Sequence, residues 1–219
     1  MRFIFKTKYD QDINVTRHSG DRFWYSLLII AMLAMPLLID DFYLGEISYI
    51  CILAIAGIGL MILSGYTGLA SLGHAAFLGI GAYTHAFLLT HGIPFIVSIP
   101  IVIIISFLVG AIIGIPILRL SGMYLAIATL ALCFIAEHVF IRWEHFTGGN
   151  RGLAVPSEEI LGISLTNSTV FYYLCLFFLV LSMFAAINIL RSPTGRAFVA
   201  IRDSEIAAQS LGVNLGIYK

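Results

Sequence analysis

Four side chains in this sequence combine an ionisable type with an apolar setting. His74, His85, Glu137 and His138 lie inside long apolar runs, where a charge is costly and each such residue is a functional candidate. Their spacing assembles no catalytic set. Glu137 and His138 fall about one turn from the end of their run, close enough for their tips to reach an interface, and His85 has the same position in its own. His74 is deeper, in Ser71-Leu72-Gly73-His74-Ala75-Ala76-Phe77. There a neutral imidazole ties two helices by a hydrogen bond in preference to facing a substrate path. Cys51, Cys133 and Cys175 stand far apart, with no CxxC pair and no histidine at ligand spacing. They are expected to be packing residues, with no metal site. No Gly-Lys dipeptide occurs, so the chain has no P-loop and any ATP must be bound by a partner. No cofactor and no enzymatic activity are expected.

The elements that must carry these residues follow from composition. Of 219 residues, 60% are hydrophobic and 11% charged, and mean hydropathy is +0.99. These values exclude a water-soluble globule and a disordered chain. Twelve basic residues balanced by twelve acidic ones argue against a nucleic-acid surface. Crossing about 30 Å of hydrocarbon takes about 20 apolar residues of helix. Six apolar runs qualify, at 23–39, 47–63, 69–89, 93–118, 122–141 and 169–190. None alternates with period two, so backbone pairing in lipid demands helices. The expected fold is all-α, a polytopic transmembrane helical bundle of about six spans. The first run follows a polar leader and ends in Ile39-Asp40-Asp41 without a small-residue cleavage site, so it stays in the membrane.

Orientation follows from the basic residues. With a cytoplasmic N-terminus, the inner side holds ten Lys and Arg, Arg119, Arg191 and Lys219 among them, and the outer side only Arg142 and Arg151. The chain then divides into a cytoplasmic leader (1–22), a membrane domain (23–190) with an outer loop at 142–168, and a cytoplasmic segment (191–219). The third run and its approach are rich in glycine (Gly65, Gly68, Gly73, Gly79, Gly81) with Ser64, Thr67 and Ser71, which suits burial in the bundle. The fourth carries Pro94, Pro100 and Pro116 and the pair Gly110 and Gly114. A kink near Pro100 and tight packing at the glycine pair are expected.

In the cytoplasmic segment, Ser192-Pro193 is a helix-start signal for a stretch reaching toward Arg202. Asp203 is expected to cap a second short helix that Gly212 stops. On it Ile206, Ala207, Ser210 and Leu211 share one side, with Glu205 and Gln209 outside the stripe. Such a helix either lies on its own bundle or is offered to a groove on a cytoplasmic partner.

Three ordered stretches carry a family resemblance. Gly195-Arg196-Ala197-Phe198-Val199-Ala200-Ile201-Arg202-Asp203-Ser204-Glu205-Ile206-Ala207-Ala208 through Gly212-Val213-Asn214 resembles the coupling segment, the EAA-like loop, of ABC importer permeases for branched-chain amino acids. Ser64-Gly65-Tyr66-Thr67-Gly68-Leu69-Ala70-Ser71-Leu72-Gly73-His74-Ala75-Ala76-Phe77, continuing to Gly81-Ala82-Tyr83, resembles the same family's glycine-rich signature. Thr147-Gly148-Gly149 followed by Gly152-Leu153 resembles its external loop. The likeness covers about residues 23–219.

The resemblance implies a multi-pass permease of the bacterial inner membrane. Its implied partners are a second related permease, two ABC ATPase subunits, a periplasmic substrate-binding protein and membrane lipid, with no nucleic acid. It assigns ATPase coupling to Gly195, Arg196, Arg202, Asp203, Glu205, Ala207, Ala208 and Gly212. It assigns the translocation path or close packing to Ser64, Gly65, Thr67, Gly68, Ser71, Gly73, His74 and Gly79. Thr147, Gly148, Gly149 and Gly152 would form the external loop. Urea and short-amide importers share these motifs and are the alternative. An autonomous secondary transporter or channel would need its own ion site near mid-membrane, for which only His74 is a candidate, and the coupling-like helix argues against a purely structural membrane protein. Family members continue through further spans after the coupling segment, so a chain ending at Tyr218-Lys219 is expected to be a C-terminally truncated form.

Overall fold

The computed structural model of the chain describes residues 19–117, 120, 122–156, 159–160 and 163–218. Residues 1–18 of the expected leader, with Arg119 and Lys219, lie outside that range. Helix α1 spans Ser19–Leu38, and α2 spans Asp41–Leu60 and runs on through a π-helical turn, Met61–Tyr66. Asp40 stands at the N-cap of α2 with Asp41 in its first turn, where negative charge suits the positive end of the helix. Helices α3 (His74–Thr90), α4 (Phe95–Ile117) and α5 (Met123–Arg142) follow. A loop with the short α6 (Glu144–Thr147) and two two-residue antiparallel strands, β1 (Glu159–Ile160) and β2 (Ile163–Ser164), leads to α7 (Ser168–Arg191).

Among the described residues, four helices are long and apolar enough to cross a membrane: Asp41–Tyr66, Phe95–Ile117, Met123–Arg142 and Ser168–Arg191. The apolar part of α1, Phe23–Leu38, is shorter. Helix α3 has 17 residues, giving it about 26 Å of rise. The third run therefore differs from its expectation as one continuous helix: residues 67–73 are not helical, and α3 begins only at His74. Gly68, at φ +71°, has a left-handed backbone that leaves the helical path. At its far end α3 stops at Gly92 (φ +77°), whose N–H donates to Leu89 O at 3.0 Å while Ile93 N–H donates to Leu88 O at 3.1 Å. Two such bonds around a left-handed glycine close a helix, and Pro94 keeps it closed.

The best-buried core lies where α7 meets α1 and α2. Leu44, Tyr172 and Leu176 are buried there, with Met32, Met35, Ile39 and Ile47 packed around them. One hydrogen bond in this core compensates for a proline. Pro36 has no N–H to give to Met32 O four residues earlier, and the Tyr172 hydroxyl donates to that carbonyl at 2.7 Å. Tyr173 OH donates to Leu33 O at 3.0 Å alongside it. Backbone polarity exposed by a kinkable position is thus satisfied from a neighbouring helix, as lipid requires.

Helix α4 runs on through Pro100, and the glycine pair on it is not a site of tight packing. A Cβ at Gly110 would touch the Phe77 ring at 3.4 Å, but one at Gly114 would meet nothing within 4 Å. Both glycines line a cavity of about 430 Å³ between α3, α4, α5 and the residues preceding α3. Small residues permit close approach without compelling it, because lipid supplies no hydrophobic drive between helices.

The segment after α7 and the loop carrying α6 lie at opposite ends of the bundle. Thr67, Gly122 and Ile201 border one cavity, whereas Phe87 of α3 stacks on Phe146 of α6 at 4.4 Å at the other end. Arg151 and Ser204 are both exposed. With the native cysteines removed, an impermeant thiol reagent added to intact cells should label a cysteine at Arg151 and spare one at Ser204. Equal labelling, or the reverse, would overturn the orientation expected from the basic residues.

Candidate functional site

The segment expected to couple leaves α7 through a sharp corner. Ser192 is extended and Pro193 opens α8, Pro193–Asp203. The Ser192 hydroxyl makes no cap; it donates back to Ile189 O at 2.6 Å. Gly195 is buried against the end of α7, where a Cβ would fall 2.2 Å from Leu190 O. Ala197 and Ile201 face the bundle, and Arg196 is exposed.

Helix α9 follows at Glu205–Ser210, and its cap differs from expectation. Asp203 ends α8, and Ser204, extended at φ −164°, is the N-cap of α9, its hydroxyl accepting from Ala207 N–H at 3.2 Å. Serine and aspartate do the same chemistry at this position. Spacing alone did not separate them, because α8 uses one residue more than the cap signal implied. Gly212 (φ +87°) stops α9: its N–H donates to Gln209 O at 3.1 Å, and Val213 N–H to Ala208 O at 3.0 Å. Ala208 is buried and Glu205 half-buried, while Ala207 and Ser210 are exposed. Ile206 is 81% and Leu211 82% exposed. The apolar stripe of α9 therefore turns away from its own bundle. A last helix, α10, spans Leu215–Tyr218.

Under α8 lies the glycine-rich stretch. The π turn ending α2 leaves Gly65 O facing α8, and Arg202 Nη1 donates to it at 3.0 Å. Thr67 Oγ1 donates to Leu63 O, and Ser64 Oγ donates to Leu69 O at 3.3 Å, folding the chain back on the turn. Leu72 N–H donates to Thr129 Oγ1 of α5 at 3.0 Å, and a Cβ on Gly73 would lie 2.4 Å from Thr129 O. Loop and helix backbones are in direct contact there. Ser71 lines the 430 Å³ cavity.

His74 Nε2 is 2.9 Å from Ala56 O, so this ring nitrogen carries the proton and ties α3 to α2. Gly59 makes room for the ring, since a Cβ there would come within 3.3 Å of it. One turn and more along α3, Gly79 accommodates the Phe140 ring, 2.7 Å from where a Cβ would sit. His85 Nδ1 is 2.9 Å from the Oγ of the buried Ser98 on α4. Glu137 and His138 are exposed on α5.

At the opposite end, Thr147 is fully buried. Its hydroxyl lies 2.5 Å from Phe140 O and 2.8 Å from Trp143 O and accepts from Gly149 N–H at 3.2 Å. Gly148 (φ +72°) has no room for a side chain, with Gly152 O 2.2 Å from the Cβ position. The four loop residues singled out by the sequence are thus brought together in one tight turn. Among the described residues no group of three or more His, Cys, Asp or Glu is placed to hold a metal ion.

Thr129, Gly59 and the Ala56 carbonyl escaped the sequence reading. A threonine in a span satisfies its own hydroxyl on a carbonyl one turn back, as Thr129 does on Ala126 O at 2.9 Å. Its second role as an acceptor leaves no local trace.

Residues 42–219 match the family described as "Branched-chain amino acid transport system / permease component". Two curated relatives are the high-affinity branched-chain amino acid transport system permease proteins LivM of Salmonella typhimurium (strain LT2), 34% identical, and of Escherichia coli (strain K12), 33% identical. Each alignment covers 88% of this chain and 51% of the relative, so the chain spans about half the length of the relatives it matches. No solved structure matches the chain. On the family match, which covers most of the sequence, the chain belongs to the branched-chain amino acid transport system permease components.

Proposed function

We propose that this chain is a permease subunit of an ATP-driven importer for branched-chain amino acids in the bacterial inner membrane, and that α9 is its docking helix for an ATPase subunit. The observation that carries the docking role is the outward stripe of α9. Ile206 and Leu211 stay more than four-fifths exposed on a helix braced by the Ser204 cap, the buried Ala208 and the Gly212 stop. A rigid helix that shows apolar residues around the small Ala207 suits insertion into a groove. Closure of an ATPase pair would push on α9 and tilt the bundle.

A second related permease, two ATPase subunits and a periplasmic binding protein complete the assembly. The path runs beside the glycine-rich stretch. The 430 Å³ cavity there is walled by side chains such as Leu69, Phe77, Phe107 and Ile113. Such a wall suits a branched aliphatic side chain better than it suits urea or a short amide. The names of the two relatives support the same substrate class.

Ala207→Arg tests the docking role. A charged chain where a groove receives a methyl group should weaken ATPase retention by about a hundredfold, the equivalent of about 3 kcal/mol. Insertion of the chain and pairing with the second permease should be unchanged. Copurification of the ATPase at normal yield, with normal uptake, would overturn the docking role.

A further inference from the structure

We propose that Arg202 is the strut that carries movement of α9 into the membrane domain, through the backbone of Gly65, and so does its work on the bundle rather than on the ATPase. The inference rests on the docking role of α9 and adds where the motion goes next.

Four observations meet at this residue. Arg202 lies in the last turn of α8, two residues before the Ser204 cap of α9, so displacement of α9 moves it directly. Its guanidinium reaches across to α2, where Nη1 donates to Gly65 O at 3.0 Å. That carbonyl belongs to the final turn of a long helix, where unpaired carbonyls and the negative end of the helix dipole favour a cation. Asp203 Oδ1, 3.4 Å from both Nε and Nη2, steadies the planar group from the other side.

The stem of Arg202 is accommodated as deliberately as its tip. Gly68 holds φ +71°, and a Cβ there would fall 2.8 Å from Arg202 Cγ. The backbone thus needs glycine twice over at this point, for its conformation and for the side chain crossing it. Beside the crossing is an unfilled cavity of about 250 Å³, bordered by Thr67, Gly122, Ala126, Ile201, Arg202 and Glu205. The guanidinium therefore links α8 to α2 at the rim of a space that packed side chains do not fill, and the space gives the segment room to move.

Beyond Gly65 the route continues through rigid contacts. Residues 67–73 are fastened to α5 by Leu72 N–H on Thr129 and by the backbone contact of Gly73 with Thr129 O. His74, the first residue of α3, is fastened to Ala56 of α2. A pull on Gly65 is thus delivered to α5 and to the start of α3, two walls of the 430 Å³ cavity. A chain of bonded elements with few slack joints is the physical requirement for coupling between sites.

The test uses the chain assembled with its partner permease and ATPases in proteoliposomes, with binding protein present and radiolabelled leucine as probe. Arg202→Ala should leave ATPase retention and thermal stability of the complex close to the parent, since the side chain is partly exposed. Leucine imported per ATP hydrolysed should fall about tenfold. Arg202→Lys keeps a cation near the end of α2 but loses the planar fork, and should restore coupling only in part. Full recovery in Arg202→Lys would make the residue a simple charge cap and overturn the strut. So would a normal import-to-hydrolysis ratio in Arg202→Ala, or release of the ATPase by it. If Arg202→Ala is normal while Ala207→Arg still frees the ATPase, the strut alone fails. If Ala207→Arg is itself normal, the docking role fails and the strut falls with it.

Discussion

Gly73→Leu should abolish assembly of the membrane domain. A Cβ at this position would lie 2.4 Å from Thr129 O and 3.1 Å from the carbonyl carbon, which are backbone atoms of α5 and cannot rotate aside. Relief requires residues 67–73 to lift from α5, which breaks the 3.0 Å bond from Leu72 N–H to Thr129 Oγ1 and moves the first residue of α3. Overpacking of this kind costs about 3 kcal/mol even before the lost hydrogen bond is included. Gly79→Leu is the instructive comparison, because its neighbour is the Phe140 ring, a side chain able to shift. Size-exclusion profiles of detergent extracts should show little monodisperse protein for Gly73→Leu and a partial loss for Gly79→Leu. A normal profile and normal uptake for Gly73→Leu would contradict the backbone contact on which this part of the bundle depends.

Gly195→Ala should uncouple the segment after α7 while leaving the membrane helices intact. The added methyl carbon would fall 2.2 Å from Leu190 O and 2.5 Å from both Leu190 C and Cα, so α8 must swing away from the end of α7. The swing carries Ala197 and Ile201 out of their buried positions. Losing most of the burial of a single isoleucine costs about 2 kcal/mol, and the geometric effect is larger, because α9 packs chiefly on α8. Gly65 O would also lose its donor from Arg202. The expected result is a chain that inserts at normal levels but neither retains ATPase nor supports uptake. Gly212→Ala should be milder, since a Cβ at Gly212 meets nothing within 4 Å and only its φ of +87° is strained. Equal phenotypes for the two substitutions would mean that helix termination, not the α7–α8 contact, positions the segment.

The membrane bundle was legible in the sequence because lipid leaves the backbone few choices. Without water to pair N–H and C=O groups, an apolar run of sufficient length has to be a helix, and among the described residues four such helices stand at four of the runs. The stop at Gly212 was readable for a related reason: a left-handed residue is a local requirement that glycine meets at little cost, and Gly92 meets the same requirement at the end of α3. Composition failed where it was asked for contact. The pair Gly110 and Gly114 has the spacing of a helix–helix seam, yet it faces a cavity. Gly73, with no such pattern around it, makes the closest backbone approach to α5.

The division has a physical cause. Periodicity, hydropathy and capping act within a few residues, so residue order alone established helices, turns, the stripe on α9 and the residues worth watching. Which of those residues meet is decided by chain segments far apart in sequence. Arg202 is 137 residues from Gly65, Tyr172 is 140 from Met32, and Leu72 is 57 from Thr129. A hydrogen bond across such a distance has a donor and an acceptor that each look ordinary at home. Only the packing of α8 over the end of α2, of α7 on α1, and of residues 67–73 on α5 turns them into a bridge between helices, a proline compensation and a joint of loop to helix.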